Sequence, residues 1–329
     1  METQQERIVY DAILLPSIAE TEERTPFIEG NTEPMEMQDL QDDYLVPVFS
    51  RDNVETISHT DFINTTMDAA QTYFQGEQFL EPQIRVSHEM KLRTRTGLGK
   101  IVENLNDKED TGSYWQRMMF SIEIPSITEE VNGCELSLQI VGVRSYHQTN
   151  LLGNSSQQQT FQLGIGFLNG VCTNMCMKAE TISLIKVTNT ADLYRYAIEL
   201  FKRYNHKLHL EQLRRLGYTQ IPERTFAQIL GRLRMYSALP QSVKTSLSLP
   251  EVILNEAQIN AAVRDYYTDV NFGGPQHNMT GWTLYNLITN YKNNYIDTSL
   301  DRAANSFTLV SGCIDAINGT DHTYDWFIS

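Results

Sequence analysis

Four side chains able to hold a soft metal or act as nucleophile and base fall close together in the chain. Cys172 and Cys176 are spaced C-x3-C, and His206 and His209 follow at i, i+3. A structural zinc site needs four such ligands, so a Cys2His2 set is formally possible. The spacing is not C-x2-C and no second cysteine pair follows. The sequence therefore points to thiols packed in an apolar run and an unrelated surface histidine pair. A cysteine nucleophile needs a base within hydrogen-bond reach, and the spacing supplies none. No catalytic or metal-ligating residue is assigned, and no cofactor is implied.

Gly164-x-Gly166-x-x-x-Gly170 has neither the G-x-G-x-x-G spacing nor the Gly-Lys-Ser/Thr ending of phosphate loops. Its Asn169-Gly170 pair predicts a tight turn at positive φ. With H-E-x-x-H and G-x-S-x-G patterns also missing, the sequence leans away from an enzyme. A hydrolase or transferase would have to gather polar and ionisable groups in one pocket. Arg144, Tyr146, His147, Asn169, Asn174 and Asn286 are the candidates for it.

Charge carries more physical content. The chain has a formal net charge of −15, but residues 1–50 hold 12 Asp and Glu against 2 Arg. By contrast, residues 186–244 hold 11 Lys and Arg against 4 acids. Lys202, Arg203, Lys207, Arg214, Arg215, Arg224, Arg232 and Arg234 are interleaved there with tyrosines. Cations for phosphates and aromatics for stacking are what a DNA or RNA groove requires. Solvated helix faces with the tyrosines in the core are the other reading of the same pattern. The acidic N-terminus offers a different reading, a structural or protein-interaction role with that segment as the contact.

These groups must be positioned by secondary structure. With 41% hydrophobic and 20% charged residues over 329 positions, core material is ample. Residues 1–50 read as an acidic, partly disordered segment, 51–190 as a sheet-rich part and 191–329 as a helical part of the same composite domain. Asn53–Tyr73 predicts a helix capped at Asp61. Alternation predicts strands at Ile84–Leu92, Gln116–Ile124 (closed by Pro125), Glu135–Val143, Phe161–Phe167 and Ile182–Val187. From Ala191 the period turns helical, with further helices over Leu208–Leu216, Pro222–Met235, Glu256–Tyr267 and Thr280–Tyr291, and a last one from Asp297 or Thr298. The expected fold is α+β, an antiparallel meandering sheet over about residues 80–190 packed against the helical half. Gln162–Met177 reads as the hinge between them, with Phe167, Val171 and at least one of Cys172 and Cys176 buried. No apolar run reaches the about 18 residues of a spanning helix, and no export signal is visible, so a cytoplasmic protein with reduced thiols and no membrane partner is expected.

Several stretches resemble a protein family of unknown function found in gut bacteria. They include Gly142-Val143-Arg144-Ser145-Tyr146, the run Gly166–Met177, Gly231-Arg232-Leu233-Arg234-Met235-Tyr236 and the closing Asp325-Trp326-Phe327. This resemblance covers nearly everything after about residue 80 and implies no particular activity. Val171-Cys172-Thr173-Asn174 and Leu284-Tyr285-Asn286-x-x-Thr289 are also similar, over a shorter span, to phage- and plasmid-encoded proteins of unknown function. That similarity implies a mobile-element setting and work on or near DNA.

Overall fold

The computed structural model describes residues 26–42, 56–93, 99–101, 104, 110–146, 158–269, 272, 279–290, 292 and 294–329. The protein is α+β. Its main sheet is antiparallel and ordered β1 (Glu33–Met35), β2 (Gln83–Val86), β5 (Arg117–Val131), β6 (Cys134–Ser145) and β7 (Gln159–Asn169). The far side of β7 is shared by β8 (Met175–Cys176) and β9 (Ile182–Val187). A separate two-stranded ribbon pairs β3 (Glu89–Arg93) with β4 (Thr111–Trp115).

Two strand expectations change. The alternating run Ile84–Leu92 is two strands in two sheets, because the chain leaves the main sheet after Val86. Pro125 does not close β5. A register shift between Ile124 and Thr128 absorbs the missing N–H, and pairing resumes to Val131. The β5–β6 hairpin then turns at Asn132-Gly133, both at positive φ, as a two-residue connection favours.

One sheet face carries Phe120, Ile122, Ile140, Phe161, Leu163 and Ile165 into the larger core. Against it packs α2 (His59–Tyr73), and α3 (Thr190–Arg203) packs on α2 and on β9. The start of α2 is fixed by a capping box in which Ser58 Oγ accepts from Asp61 N and Asp61 Oδ2 accepts from Ser58 N. Asp61 is thus the third residue of the helix and Ser58 the cap. The opposite sheet face buries Met119, Val141 and Val143 under Phe27, Ile28, Ile296, Leu300 and Ala303.

The remaining helices are α4 (His206–Leu216), α5 (Glu223–Ala238), α6 (Gln241–Ser246), α7 (Glu256–Thr268), α8 (Gly281–Ile288), α9 (Ser299–Ile317) and α10 (Asp325–Ile328), with α1 (Met37–Asp42) early in the chain. Helix α8 lies at the centre. All its residues except Thr283 are buried, the signature of a helix surrounded by protein. It contacts α4, α7 and α9, and the larger core runs without a break from Leu40 to Phe327. No helix of the described residues is long and apolar enough to cross a membrane.

Candidate functional site

Of the six residues expected to share a pocket, the five that lie among the described residues fall in two separate places. Asn169 pairs with Leu136 on β6, whereas Arg144 lies eight residues further along that strand. An extended strand rises about 3.3 Å per residue, which separates the two positions by about 26 Å. Arg144 and Tyr146 belong to one buried cluster and Asn169, Asn174 and Asn286 to another. His147 lies outside the described residues.

At the Arg144 end, β6 and β7 meet the chain entering α2. Arg144 is fully buried. Its Nη1 donates to Ile57 O and its Nη2 to Gln159 Oε1 at 2.9 Å. Tyr146 and Phe161 sandwich the guanidinium at 4.4 and 4.6 Å, so ring faces replace part of its hydration. His59 stacks on Tyr146 with ring centroids 4.6 Å apart and places Nε2 2.9 Å from Trp115 O. Burial, reinforced by the Arg144 charge, lowers the His59 pKa to about 3. The imidazole is neutral at ordinary pH.

At the other end, the turn after β7 is read by α8. Asn174 Nδ2 donates to Asn286 O at 2.8 Å, and Asn169 Nδ2 to Asn286 Oδ1 at 3.2 Å. Cys172 Sγ approaches the same Oδ1 at 3.3 Å. Asn286 Nδ2 is itself held by Trp282 O, one turn back on α8. Asn169 Oδ1 accepts from Val171 N, and Thr173, at φ +51°, closes the turn through Thr173 N to Asn169 O. The positive-φ position is therefore Thr173 and not the Asn169-Gly170 pair, since the Asn169 side chain makes the turn itself. Phe167 and Cys176 are buried in this stretch, but Val171 is 54% exposed because it caps the turn outside the sheet.

Neither cluster is set up for covalent chemistry. Burial pushes the Cys172 and Cys313 thiols up to about 12 and also raises Cys176 well above the usual thiol range. A nucleophilic cysteine needs the opposite shift. His209, expected on the surface, is buried. Its pKa is lowered to about 3 by burial and by the Lys178 charge, and its Nδ1 lies 3.0 Å from Tyr204 Oη. No group of three or more His, Cys, Asp or Glu among the described residues could hold a metal ion.

Five of the eight basic residues are engaged within the chain. Arg214 pairs with Glu129, Arg215 with Asp315 and Arg234 with Glu256. Arg232 donates to Ser329 O at 2.7 Å and lies over Trp326, while Arg203 is drawn to Ile182 O and Ser183 on the sheet edge. Lys202, Lys207 and Arg224 are exposed and engage no other described residue. The first two sit at the α3–α4 corner and Arg224 at the start of α5.

The profile of a family described as "Domain of unknown function, B. Theta Gene description (DUF3871)" matches residues 8–328. The chain belongs to this family. Comparison with curated proteins and with solved structures gives no match.

This DUF3871 chain has two further features that patterning did not single out. The first is the segment 26–42, inside the stretch read as an acidic tail. Phe27 and Ile28 are buried under the sheet, Pro26 O accepts from Thr173 Oγ1 at 3.0 Å, and β1 pairs with β2. Two adjacent apolar residues in an acidic surround were the only signal. The second is a cleft of about 230 Å3 between α4 and α9, lined by Gln212, Arg215, Leu216, Phe307, Ser311, Ile314 and Asp315. Residues a hundred positions apart form it, so no local pattern announces it.

Proposed function

We propose that this chain is a protein-interaction module whose acidic N-terminal segment contacts a basic partner. The observation that carries the reading is the seating of residues 26–42. Phe27, Ile28 and Leu40 anchor the segment in the core, so Glu29, Glu33, Glu36 and Asp39 are exposed at fixed positions. A pre-ordered charged surface spends less entropy on binding than a free tail would, and complementary charge speeds encounter. The buried clusters support this reading because His59, Cys172 and Cys176 are held neutral by burial and the Arg144 charge is spent on groups of the chain itself. The test is affinity capture with the wild type and with a variant carrying Glu29→Lys, Glu33→Lys, Glu36→Lys and Asp39→Lys. A basic protein retained by the wild type and lost by the folded variant is the expected result; equal recovery on both would sink the reading.

A second reading, association with DNA or RNA, keeps one specific support. Lys202 and Lys207 are unengaged by described residues and stand beside Arg203 and His206, all exposed, at the α3–α4 corner. The short similarity to phage- and plasmid-encoded proteins fits a mobile-element origin for such a role, in the cytoplasm where the four free thiols stay reduced. Titration with single- and double-stranded nucleic acid at several salt concentrations decides it. Phosphate binding must weaken with a log–log slope of about 0.7 to 0.9 per neutralised phosphate, and a corner of this size predicts a slope of about 2 to 3.

A further inference from the structure

The cleft between α4 and α9 is chemically two-sided. Leu216, Phe307 and Ile314 form an apolar floor, and Gln212, Arg215, Ser311 and Asp315 form a polar rim. Arg215 Nη2 meets Asp315 Oδ1 across the mouth, which fixes one positive and one negative charge at a single opening. Thr320 Oγ1 also donates to Asp315 Oδ1 at 3.0 Å, holding that carboxylate in place. Behind the rim, the nearly buried Lys178 donates from Nζ to Gln212 Oε1 at 2.7 Å. That bond occupies the amide oxygen of Gln212 and leaves its two N–H donors for the cleft. Ser311 Oγ makes no hydrogen bond to a described residue. One turn before Gln212 on α4, His209 Nε2 is buried without a hydrogen-bond partner, and its ring meets Phe307 edge-on at 6.2 Å.

The size restricts the occupant. A volume of about 230 Å3 falls below the ~300–1,000 Å3 of sites for drug-sized ligands. A single charge at the rim would break the Arg215–Asp315 pair and leave one partner uncompensated. A molecule carrying both charges replaces the pair on both sides at once.

We propose that this cleft binds a small zwitterion, an α-amino acid with an apolar side chain. Arg215 takes the carboxylate, helped by the Gln212 amide and the Ser311 hydroxyl. Asp315 takes the ammonium, and Leu216, Phe307 and Ile314 cover the side chain. This site is remote in sequence from the acidic segment 26–42, and it stands or falls independently of the interaction reading.

The test is isothermal titration of the full chain with L-leucine and L-phenylalanine. 4-Methylpentanoate, leucine without its ammonium, serves as the probe with only the carboxylate, and isoamylamine, leucine without its carboxylate, as the probe with only the ammonium. One saturable equivalent of at least one amino acid is expected, with each single-charge probe weaker by about tenfold, the factor for one lost charge-assisted hydrogen bond. Arg215→Gln and Asp315→Asn should each weaken the amino acid by a similar factor. Arg215 is exposed and Asp315 half-buried, and melting curves confirm that the variants fold. Failure of both amino acids to bind saturably would overturn the proposal. So would folded variants that bind them as the wild type does, or a single-charge probe that binds equally well.

Discussion

The two ends of β6 and β7 bury polar side chains in opposite ways. At one end a full charge, Arg144, is held by Ile57 O, Gln159 and two aromatic faces. At the other, three neutral amides, Asn169, Asn174 and Asn286, bond one another and the backbone. The charged end fastens the entry of α2 to the sheet, and the amide end fastens the sheet to the central helix α8. A charge in the interior makes that end responsive to pH and expensive to disturb. An amide network is insensitive to pH and specifies geometry, because each amide satisfies its partners in one arrangement only.

The largest test of this contrast is Arg144→Ala. It leaves Ile57 O and Gln159 Oε1 short of a donor and opens a cavity between two aromatic rings. A loss of about 3–5 kcal/mol is expected in chemical denaturation. A loss comparable to that at the amide end would erase the distinction.

Acid should act on the charged end next. The His59 pKa is about 3 in the folded protein, against 6.5 as its ordinary value. The unfolded chain therefore binds the extra proton first. Stability from this group is full above about pH 6.5 and is lost as pH falls towards 3. Between pH 7 and pH 5 the loss is about 2 kcal/mol. His209 carries the same shift and adds a similar loss, so His59→Gln should remove about half of the acid sensitivity. A denaturation series across that range measures it, and an unchanged slope in the variant would show that His59 is not the group responsible.

At the amide end, Asn174→Ala removes the donor to Asn286 O and should destabilise by about 1–2 kcal/mol at every pH tested. A cycle with Asn286→Ala should show coupling of at least about 0.5 kcal/mol, since the two side chains touch. Additive effects would mean that the amides act separately. The smallest effect belongs to Val171→Ser, within about 0.5 kcal/mol, because that side chain stands outside the core.

Much of the architecture could be read from short-range pattern. The strand Ile182–Val187 appears with the expected bounds. Of the apolar face Leu193, Tyr196, Ala197, Leu200, Phe201 and Tyr204 expected from the helical period, Leu193, Ala197, Leu200 and Phe201 are buried on α3, Tyr204 is half-buried and Tyr196 is exposed. The short strand Thr111–Trp115 and the helix Gln241–Ser246 were not legible. The first exists only through its partner Glu89–Arg93, and the second buries none of its residues and so leaves no apolar stripe.

The candidate sites were much less legible, and the cause is physical. Sequence alone determined which residues are charged, which can turn the chain and which must find a core, because those are properties of single residues and their near neighbours. It singled out the stretch Gln162–Met177 on those grounds. Only the tertiary structure decided which groups meet. It paired Arg214 with Glu129 and Arg215 with Asp315, residues 85 and 100 positions apart, and so took part of the basic series into ion pairs. Strand length set Arg144 and Asn169 at opposite ends of one sheet, and α4 crossing α9 created a cleft from residues that share no motif. Partners at such separations are fixed by packing, and packing is a property of the whole chain.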